Sequence, residues 1–466
     1  MLFNSYSFLF VFLPLTLIGW WTLRPKNVRL AFLTLASWFF YSWWDWRYLP
    51  ILVSATLVTY LAALAIARSE DERRRRLLLA GCLTVNLGTL GYFKYAGFFV
   101  HSLDGISKSL GIGVHAAPLH ILLPIGISFY TFNAMSYVID VYRREIAPTR
   151  NPLEYSTFVS LFPHLIAGPI VRFSTMAKQL KRPTPALASD NVARGLYFLS
   201  CGLVKKLLIA DQLSPHVNWL FLNSGHLGLV SSWAAAIGYS LQLYFDFSGY
   251  SDMAVGLAWL LGFQFPQNFN SPFKSVNISD FWRRWHMSLS TWIRDYVFIP
   301  LGGSRGSSGR TAVNLAVAMF LGGLWHGAAW TFVVWGLLHG IYLGGHALLR
   351  QAGLTPKSVA FNRVITFGLV AAAFVIFRAP NFTTAGQILS SMVGFGGFDS
   401  LGQLHSLVPG GFALLLVALL VFVNVAPNTW EIRIVSRIRY GFVVGVGAAL
   451  AVLTIAHPHP FIYFQF

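Results

Sequence analysis

The stretch LGGLWHGAAWTFVVW, residues 321–335, is almost wholly apolar, and His326 stands in its middle. It belongs to an apolar run over 311–349 that predicts two membrane spans, 311–333 and 334–349, since one span needs about 20 mostly apolar residues. An ionisable side chain at membrane depth is costly and is generally kept for function. The stretch therefore predicts a membrane protein and makes His326 a candidate functional residue.

The composition of the whole chain agrees with a membrane protein. Of its 466 residues, 55% are hydrophobic and 11% are charged, whereas a soluble protein carries roughly 25% charged residues. The 40 Phe, 18 Tyr and 16 Trp residues exclude a disordered chain. Two cysteines, both in apolar runs, exclude a disulfide scaffold and a cysteine metal site. The low charged fraction excludes a large soluble globule.

The apolar segments predict an all-α, polytopic membrane protein with about 11–12 transmembrane helices. The stretches 152–171 and 289–302 are interrupted by Pro, Gly or charge and are expected to be re-entrant or buried segments. The runs 228–247 and 250–264 are expected to form one crossing broken near Gly249. The sequence contains no visible internal repeat, so a single domain over 1–466 is predicted.

The basic residues are unevenly distributed, and this predicts the orientation. Lys and Arg number 34 against 16 Asp and Glu, a net charge of +18. They concentrate in alternate loops, most densely at Arg73–Arg76, while the loop 212–227 and the tail after Arg439 have none. Cytoplasmic loops carry the excess of positive charge. Both termini are therefore expected on the outer, extracytoplasmic side of the membrane.

The region around Asp280 mixes aromatic residues with Arg, Asp and His. Ser279 and Asp280 are candidate N-caps of a helix that follows them. Asp280 and Arg284 are four residues apart and are expected to pair. Arg283 and Arg294 are then left for an anionic ligand, or alternatively they anchor an amphipathic helix at the membrane surface.

Two histidines are the strongest candidates for chemistry. A buried histidine is often structural, but Gly322, Gly323 and Gly327 are expected to open space beside the ring of His326. Desolvation favours the neutral imidazole, which is able to act as a base. His286 is a second histidine expected at membrane depth.

A glycine pattern follows His326. Gly336, Gly340 and Gly344 recur every four residues, a spacing typical of a close-packed helix face. His339 and His346 lie near this face and are interpreted as packing residues.

Two carboxylates, Asp246 and Asp252, flank Gly249 in the apolar stretch LYFDFSGYSD. They are interpreted either as a cation or proton site of a transporter, or as structural groups that cap a broken helix or pair with arginines. The absence of visible inverted halves in the sequence argues against the transporter.

The tail at residues 457–466 ends in FIYFQF and is too aromatic for a free, solvated segment. It is expected either to anchor at the membrane interface or to dock into an outer cavity of the protein or into a partner. His457 and His459 alone make a weak metal site, and no metal is expected.

Several motifs in fixed order resemble one family. They are YFDFSGYSDMA (244–254), NFNSPF (268–273), DFWRRWHMSLSTWIRDYVFIPLGG (280–303), LWHGAAWTF (324–332), the opening MLFNSYSFLFVFLPL, PIGISFYTFNAMSYVIDVYR (124–143), FPHLIAGPIVR (162–172) and the ending FIYFQF. Together they resemble the membrane-bound O-acyltransferases (MBOAT), most closely the bacterial alginate O-acetyltransferase type. The resemblance covers nearly the whole chain.

The resemblance implies a ring of tilted helices around a funnel that crosses the membrane. The essential histidine of the family falls on His326, which would act as the base, and a second recurring polar position falls on His286. We predict that substrate is bound by Trp325, Asp280, Arg283, Arg284 and Arg294. Acetyl-coenzyme A would be the donor, with no permanently bound cofactor.

The same resemblance implies what happens outside the membrane. In the related D-alanylation system the aromatic C-terminal motif of a small partner is similar to FIYFQF, so Tyr463 would be a transient acyl acceptor. Direct transfer to a partner or sugar is the alternative. The chain has no large outer domain, so a periplasmic SGNH-type acetyltransferase and the polysaccharide export machinery are the expected partners. Alginate or a similar polymer is the expected acceptor, and peptidoglycan O-acetylation and D-alanyl transfer remain open.

Overall fold

The computed structural model describes residues 1–111, 119, 121–184, 186–432, 438–455 and 461–462, with the backbone alone for 438–440. These residues form helices joined by turns and loops, and no strand occurs among them. The predicted all-α class is confirmed. The chain divides into two compact units, residues 1–196 with 254–266, and residues 197–253 with 267–466. The single domain predicted over residues 1–466 stays a prediction.

The first unit contains most of the N-terminal helices. They are α1 (Leu13–Thr22), α2 (Lys26–Asp45), α3 (Leu49–Arg68), α4 (Glu72–Ser109), α5 (Ile127–Tyr142), α6 (Pro152–Ser160), α7 (Phe162–Leu165), α8 (Phe173–Lys181) and the first half of α9 (Ser189–Leu203). A π-helical turn, Phe8–Phe12, precedes α1, and a 3₁₀ turn, Trp46–Tyr48, joins α2 to α3. The stretch 152–171, predicted to be interrupted, forms two short helices.

The second unit contains the remaining helices. They are α10 (Asp211–Leu222), most of α11 (Leu229–Leu260), α12 (Ile278–Arg284), α13 (Met287–Ile293), α14 (Ser308–His326), α15 (Trp330–Gln351), α16 (Val359–Arg378), α17 (Phe382–Met392), α18 (Leu401–Leu407), α19 (Gly410–Val425) and α20 (Ile438–Leu453). π-helical segments cover Val204–Ala210 and Arg294–Phe298, and 3₁₀ turns cover Ser224–His226 and Pro272–Lys274.

Several helices are suited to a bilayer. Among the described residues, four helical stretches are long and apolar enough to cross a membrane: Lys26–Arg68, Glu72–Ser109, Trp330–Gln351 and Val359–Arg378. The pair α18 and α19, bent by 71°, makes a fifth if it counts as one span. This supports a multi-pass membrane protein. The count of 11–12 crossings stays a prediction, because helix breaks and charged residues interrupt other apolar runs, as at Val204–Ala210.

The predicted glycine face packs α15 against α14. A Cβ on Gly336 would lie 2.4 Å from the carbonyl oxygen of Met319, and one on Gly340 would lie 2.7 Å from Cα of Ala316. One on Gly344 would lie 3.0 Å from the side chain of Ala312. The three glycines contact α14 at residues three and four apart, Met319, Ala316 and Ala312, so the close-packed face is confirmed. It brings the two backbones together beside His326.

Helix α11 runs unbroken from Leu229 to Leu260, so the predicted break at Gly249 is wrong. The glycine serves a different purpose. A Cβ on Gly249 would lie 2.9 Å from the carbonyl oxygen of Gly202, and one on Gly202 would lie 2.5 Å from that of Gly249. The two glycines let the end of α9 cross α11 in backbone contact.

The N-cap of α12 also differs from the prediction. Asn277, not Ser279 or Asp280, caps the helix, and its side chain accepts a hydrogen bond from the backbone N–H of Asp280. Asp280 instead accepts from the backbone N–H of Val276 at 3.3 Å. The helix therefore begins earlier than expected, because Asn is as good an N-cap as Ser or Asp.

Candidate functional site

His286 lies at the turn between α12 and α13, completely buried. Its backbone is in the left-handed region, with φ 42° and ψ 53°. A non-glycine residue seldom adopts this conformation, and such positions concentrate at functional sites. The turn places the imidazole between two aromatic rings. Its centroid lies 4.7 Å from that of Phe247 and 5.8 Å from that of Trp325.

Asn268 holds the His286 ring. The amide Nδ2 of Asn268 donates to Ser251 Oγ at 3.0 Å, which leaves Oδ1 as the acceptor. That oxygen receives the hydroxyl of Ser288 at 2.8 Å and lies 3.2 Å from Nδ1 of His286. His286 therefore donates its Nδ1–H to Asn268, and its Nε2 keeps the lone pair that a proton acceptor needs.

His326 is the last residue of α14 and is 5% exposed. The centroid of its ring lies 4.9 Å from that of Trp325, 5.0 Å from that of Trp335 and 5.2 Å from that of Phe377. Because His286 also contacts Trp325, the two predicted catalytic histidines meet on one indole. The fold thus brings together His286, Trp325 and His326, which the sequence places up to 40 residues apart.

The glycines beside His326 do not open a space. A Cβ on Gly327 would lie 2.1 Å from the ring of Phe332, and one on Gly323 would lie 2.3 Å from the carbonyl oxygen of Phe332. One on Gly322 would lie 3.2 Å from Ile293. The expectation of free room at Gly323 and Gly327 is therefore wrong. These glycines let α15 turn back tightly against α14, which encloses the ring of His326.

His339 behaves as a packing residue, as predicted. It is fully buried, its Nδ1 accepts from the indole N–H of Trp282 at 3.3 Å, and its ring lies 4.8 Å from Trp335. Trp335 in turn contacts His326. His346 instead lines a cavity, described below.

Asp246 and Asp252 each pair with a lysine rather than with an arginine. Lys206 Nζ lies 2.6 Å from Asp246 and Lys205 Nζ lies 2.6 Å from Asp252. Both lysines lie in the π-helical segment Val204–Ala210. Gly249, midway between the two carboxylates, brings that segment against α11. The structural interpretation of the pair is supported, with a different cation.

The described part of the tail docks on one of these pairs. Phe461 and Ile462 are buried, and the backbone N–H of Ile462 donates to Asp246 at 3.1 Å. The ring of Phe461 lies 4.7 Å from Lys206 Nζ and 4.3 Å from the ring of Tyr250. These two residues bind the protein itself, as one of the two sequence interpretations expected. Tyr463, like His457 and His459, lies outside the described residues.

The predicted anion-binding arginines have carboxylate neighbours. Arg284 pairs with Asp280 at 3.1 Å, as expected, and Arg283 lies 3.6 Å from the same carboxylate with its side chain 70% exposed. Arg294 pairs with Asp295 at 2.6 Å. Their role in binding a ligand stays a prediction.

Two cavities lie at opposite ends of α16. The first, called the Arg350 cavity, has a volume of about 600 Å³ and is lined by residues that include Asn277, Ser279, Arg283, Tyr342, His346, Arg350, Phe361 and Asn362. The second, called the Arg378 cavity, has a volume of about 320 Å³ and is lined by Lys206, Asp211, Ser214, Asn218, Phe221, Leu222, Gln242, Asp246, Arg378, Pro380 and Ile462. From Asn362 to Arg378 the helix rises about 24 Å. A membrane-spanning α16 would place the cavities near opposite surfaces.

Three groups of residues at this site were not predicted from the sequence. They are Asn268, which holds the His286 ring, the lysines that neutralise Asp246 and Asp252, and the polar lining of the Arg378 cavity. Asn268 stands in the motif NFNSPF, and its polarity in an aromatic stretch was the available signal. Gln242 and Arg378 gave none, because they are 136 residues apart. Only the packing of α11 against α16 makes them neighbours.

The sequence is similar to one protein family and to several known enzymes. A sequence model of the membrane-bound O-acyltransferase family matches residues 38–385. The chain is 46% identical over 400 residues to a probable alginate O-acetylase of Azotobacter vinelandii, covering 85% of this chain and 79% of that protein. It is 40% identical over 431 residues to a peptidoglycan O-acetyltransferase of Helicobacter pylori, covering 85% of this chain and 80% of that protein. It is 31% identical over 328 residues to a teichoic acid D-alanyltransferase of Bacillus subtilis, covering 66% of this chain and 83% of that protein.

Proposed function

Since the chain belongs to the membrane-bound O-acyltransferase family, and is therefore an O-acyltransferase, we propose that it transfers acetyl from cytoplasmic acetyl-coenzyme A across the bacterial inner membrane. The acetyl group would O-acetylate an exported polysaccharide, alginate or a similar polymer. The observation that carries the proposal is the buried pair His286 and His326, joined by Trp325, in a unit that has a cavity at each end of α16.

The Arg350 cavity suits the donor. Arg283, Arg350 and His346 line it, and guanidinium groups bind phosphate oxygens in bidentate geometry. Coenzyme A carries phosphates at one end and the thioester at the other. The basic end of α16 also agrees with a cytoplasmic location, because Lys357 and Arg363 lie there. The phosphates would bind at this cavity while the thioester reaches toward His326.

His326 would act as the general base. An acceptor hydroxyl attacks the thioester carbonyl, and His326 takes the hydroxyl proton. The carbon–sulfur bond then breaks, and coenzyme A leaves as the thiol after it receives a proton. His286, which donates its Nδ1–H to Asn268 and keeps a lone pair on Nε2, would orient or share the proton.

Tyr463 would be the first acceptor. Ile462, the residue before it, is buried at the wall of the Arg378 cavity and is held by Asp246. The phenol oxygen would take the acetyl group as an ester. A hydroxyl of the final acceptor would then attack this ester and restore the phenol. Direct transfer from the thioester to a partner or a sugar is the competing route.

The expected partners are a periplasmic SGNH-type acetyltransferase and the polysaccharide synthase and export machinery. Both chain termini would lie on the extracytoplasmic side. Peptidoglycan is the alternative acceptor, since one relative is named a peptidoglycan O-acetyltransferase. D-alanine is the alternative acyl group, since another relative is named a teichoic acid D-alanyltransferase. The relatives named for O-acetyl transfer are 40–46% identical, against 31% for the D-alanyltransferase. This favours acetyl.

The test is His326→Ala in membrane vesicles supplied with radiolabelled acetyl-coenzyme A and candidate polymers. We expect membrane insertion and folding to be intact and polymer acetylation to be lost, since a general base contributes about 10²–10⁴-fold to the rate. A variant at the packing residue, His339→Gln, is the matched control and should keep activity if it folds. Normal acetylation by the His326→Ala protein would refute the proposal.

A further inference from the structure

The Arg378 cavity is polar, although much of it is formed by helices of an apolar protein. Its walls combine the carboxylates of Asp211 and Asp246 with the cations of Lys206 and Arg378 and the amides of Asn218 and Gln242. Lys206 lies 2.9 Å from Asp211 and 2.6 Å from Asp246, so these three groups neutralise one another in part. A volume of about 320 Å³ is at the lower end of the range of small-molecule sites.

Two side chains in this cavity have hydrogen-bonding capacity that the protein leaves unused. Gln242 is 6% exposed, and its Oε1 has no hydrogen-bond partner among the described residues. A buried carbonyl oxygen without a hydrogen-bond donor destabilises the fold, so such a group calls for an explanation. Arg378 donates to Asn218 at 2.7 Å and stacks over Phe221 at 5.3 Å, but forms no ion pair within the described part of the chain. The cavity thus offers an acceptor in Gln242 and a cation in Arg378.

The cavity adjoins both catalytic histidines through single residues. Phe377, next to Arg378, contacts the ring of His326 at 5.2 Å. Phe247, next to Asp246, contacts the ring of His286 at 4.7 Å. Ile462, the residue before Tyr463, forms part of the wall. A ligand in the cavity would therefore be close to the groups that carry and transfer the acetyl group.

We propose that the Arg378 cavity binds one sugar unit of the acceptor, specifically a ring that bears hydroxyls and a carboxylate. The hydroxyls donate to Gln242 Oε1 and to the oxygens of Asp211 and Asp246. The carboxylate pairs with Arg378, whose planar guanidinium matches its geometry. This inference rests on the proposed function and deepens it by assigning the acceptor site. A cavity of this size holds one ring, so a partner still has to present the rest of the polymer.

The test measures binding of short uronic-acid oligosaccharides, with glucose oligosaccharides as the neutral comparison, to the full-length protein purified in detergent. Isothermal titration calorimetry should show binding of the acidic oligosaccharide and at least tenfold weaker binding of the neutral one. Arg378→Gln should weaken acidic-oligosaccharide binding at least tenfold, and Arg378→Lys should restore part of it. Gln242→Leu, a change of similar size, should weaken both ligands.

Arg363→Gln is the matched control, because Arg363 is an exposed arginine at the other end of the same helix. It should leave oligosaccharide binding unchanged. Equal binding by the wild type and by both Arg378→Gln and Gln242→Leu would overturn the proposal. So would a wild type that binds no oligosaccharide but loses a protein partner on Arg378→Gln, since the cavity would then be a protein-docking site.

The proposed function is assessed separately, from consumption of acetyl-coenzyme A and labelling of the protein itself. Arg378→Gln should retain both while polymer acetylation falls. A wild type that consumes no acetyl-coenzyme A would refute the proposed function even if it bound the acidic sugar.

Discussion

At the scale of single residues, the site depends on how two imidazoles are held. His286 has a defined hydrogen bond to Asn268, which decides which ring nitrogen carries the proton. His326 is held by aromatic rings on several sides. An enclosed ring in apolar surroundings keeps one orientation without a large cost in entropy at each turnover. Positioning therefore comes from a polar partner for one histidine and from packing for the other.

The residue-scale prediction concerns Asn268. Asn268→Leu removes the acceptor for His286 Nδ1–H, so the imidazole is free to rotate and to adopt the other tautomer. We expect the turnover rate for acetyl transfer to fall by about 10²-fold, the lower range of an acid–base contribution, with little change in KM for acetyl-coenzyme A. Steady-state kinetics in vesicles measure both quantities.

Asn424→Leu is the control for this substitution, because Asn424 is exposed and its amide donates only to the backbone of its own helix, at Leu420. Its kinetics should match the wild type. An Asn268→Leu protein that folds and has a wild-type turnover rate would contradict a positioning role.

At the scale of helices, glycine decides how closely elements approach. The repeat Gly336, Gly340 and Gly344 was visible in the sequence, and its consequence is the backbone contact between α14 and α15. Gly249 was also conspicuous, but its role was not predictable, since a glycine inside an apolar run indicates a break as readily as a crossing point. The deciding information is the partner Gly202, which lies 47 residues away in the sequence.

The helix-scale prediction is that Gly336→Ala destabilises the protein. Its Cβ would lie 2.4 Å from the carbonyl oxygen of Met319 and 3.1 Å from Cα of Gly323, so the helices must separate. Overpacking of this kind costs about 1–3 kcal/mol. Thermal unfolding of the detergent-purified protein should show a lower Tm, and activity should fall because His326 lies at the same helix pair.

Gly345→Ala on the same helix is the comparison, because a Cβ there meets no atom within 4 Å. It should leave Tm unchanged or slightly raised, since Ala favours helix over Gly. Equal effects of the two substitutions would show that helix propensity, not close packing, explains the glycine.

At the scale of the whole molecule, the described part of the C-terminal tail packs against helices of the second unit. Residues 461 and 462 return to α11 and bind the pair of Lys206 and Asp246. The neighbouring pair, Lys205 and Asp252, has the same N–O distance but contacts Thr429 instead. The consecutive lysines therefore have separate tasks, one at the tail and one at the segment after α19.

The prediction at this scale compares these two pairs. Asp246→Asn weakens the contacts with Lys206 and with the N–H of Ile462, so the tail should detach more often. Hydrogen exchange at Ile462, measured by mass spectrometry, should accelerate, and acyl-Tyr463 should decrease. Breaking a buried pair costs about 3–5 kcal/mol, so stability should fall as well.

Asp252→Asn breaks the sister pair and should lower stability to a similar extent while Ile462 exchanges at the wild-type rate. If both variants released the tail equally, the effect would be general destabilisation, and the specific anchoring by Asp246 would be rejected.

The sequence by itself determined the class of the protein, its helical, membrane-bound character, the glycine face and the two histidines, because these follow from local composition and short-range spacing. Family motifs extended this to acyl transfer. Only the tertiary structure decided that Trp325 joins His286 to His326, that lysines neutralise Asp246 and Asp252, and that Gln242 and Arg378 share a cavity. These relations join residues far apart in the chain, and their partners depend on how helices cross, which single-sequence patterns do not encode.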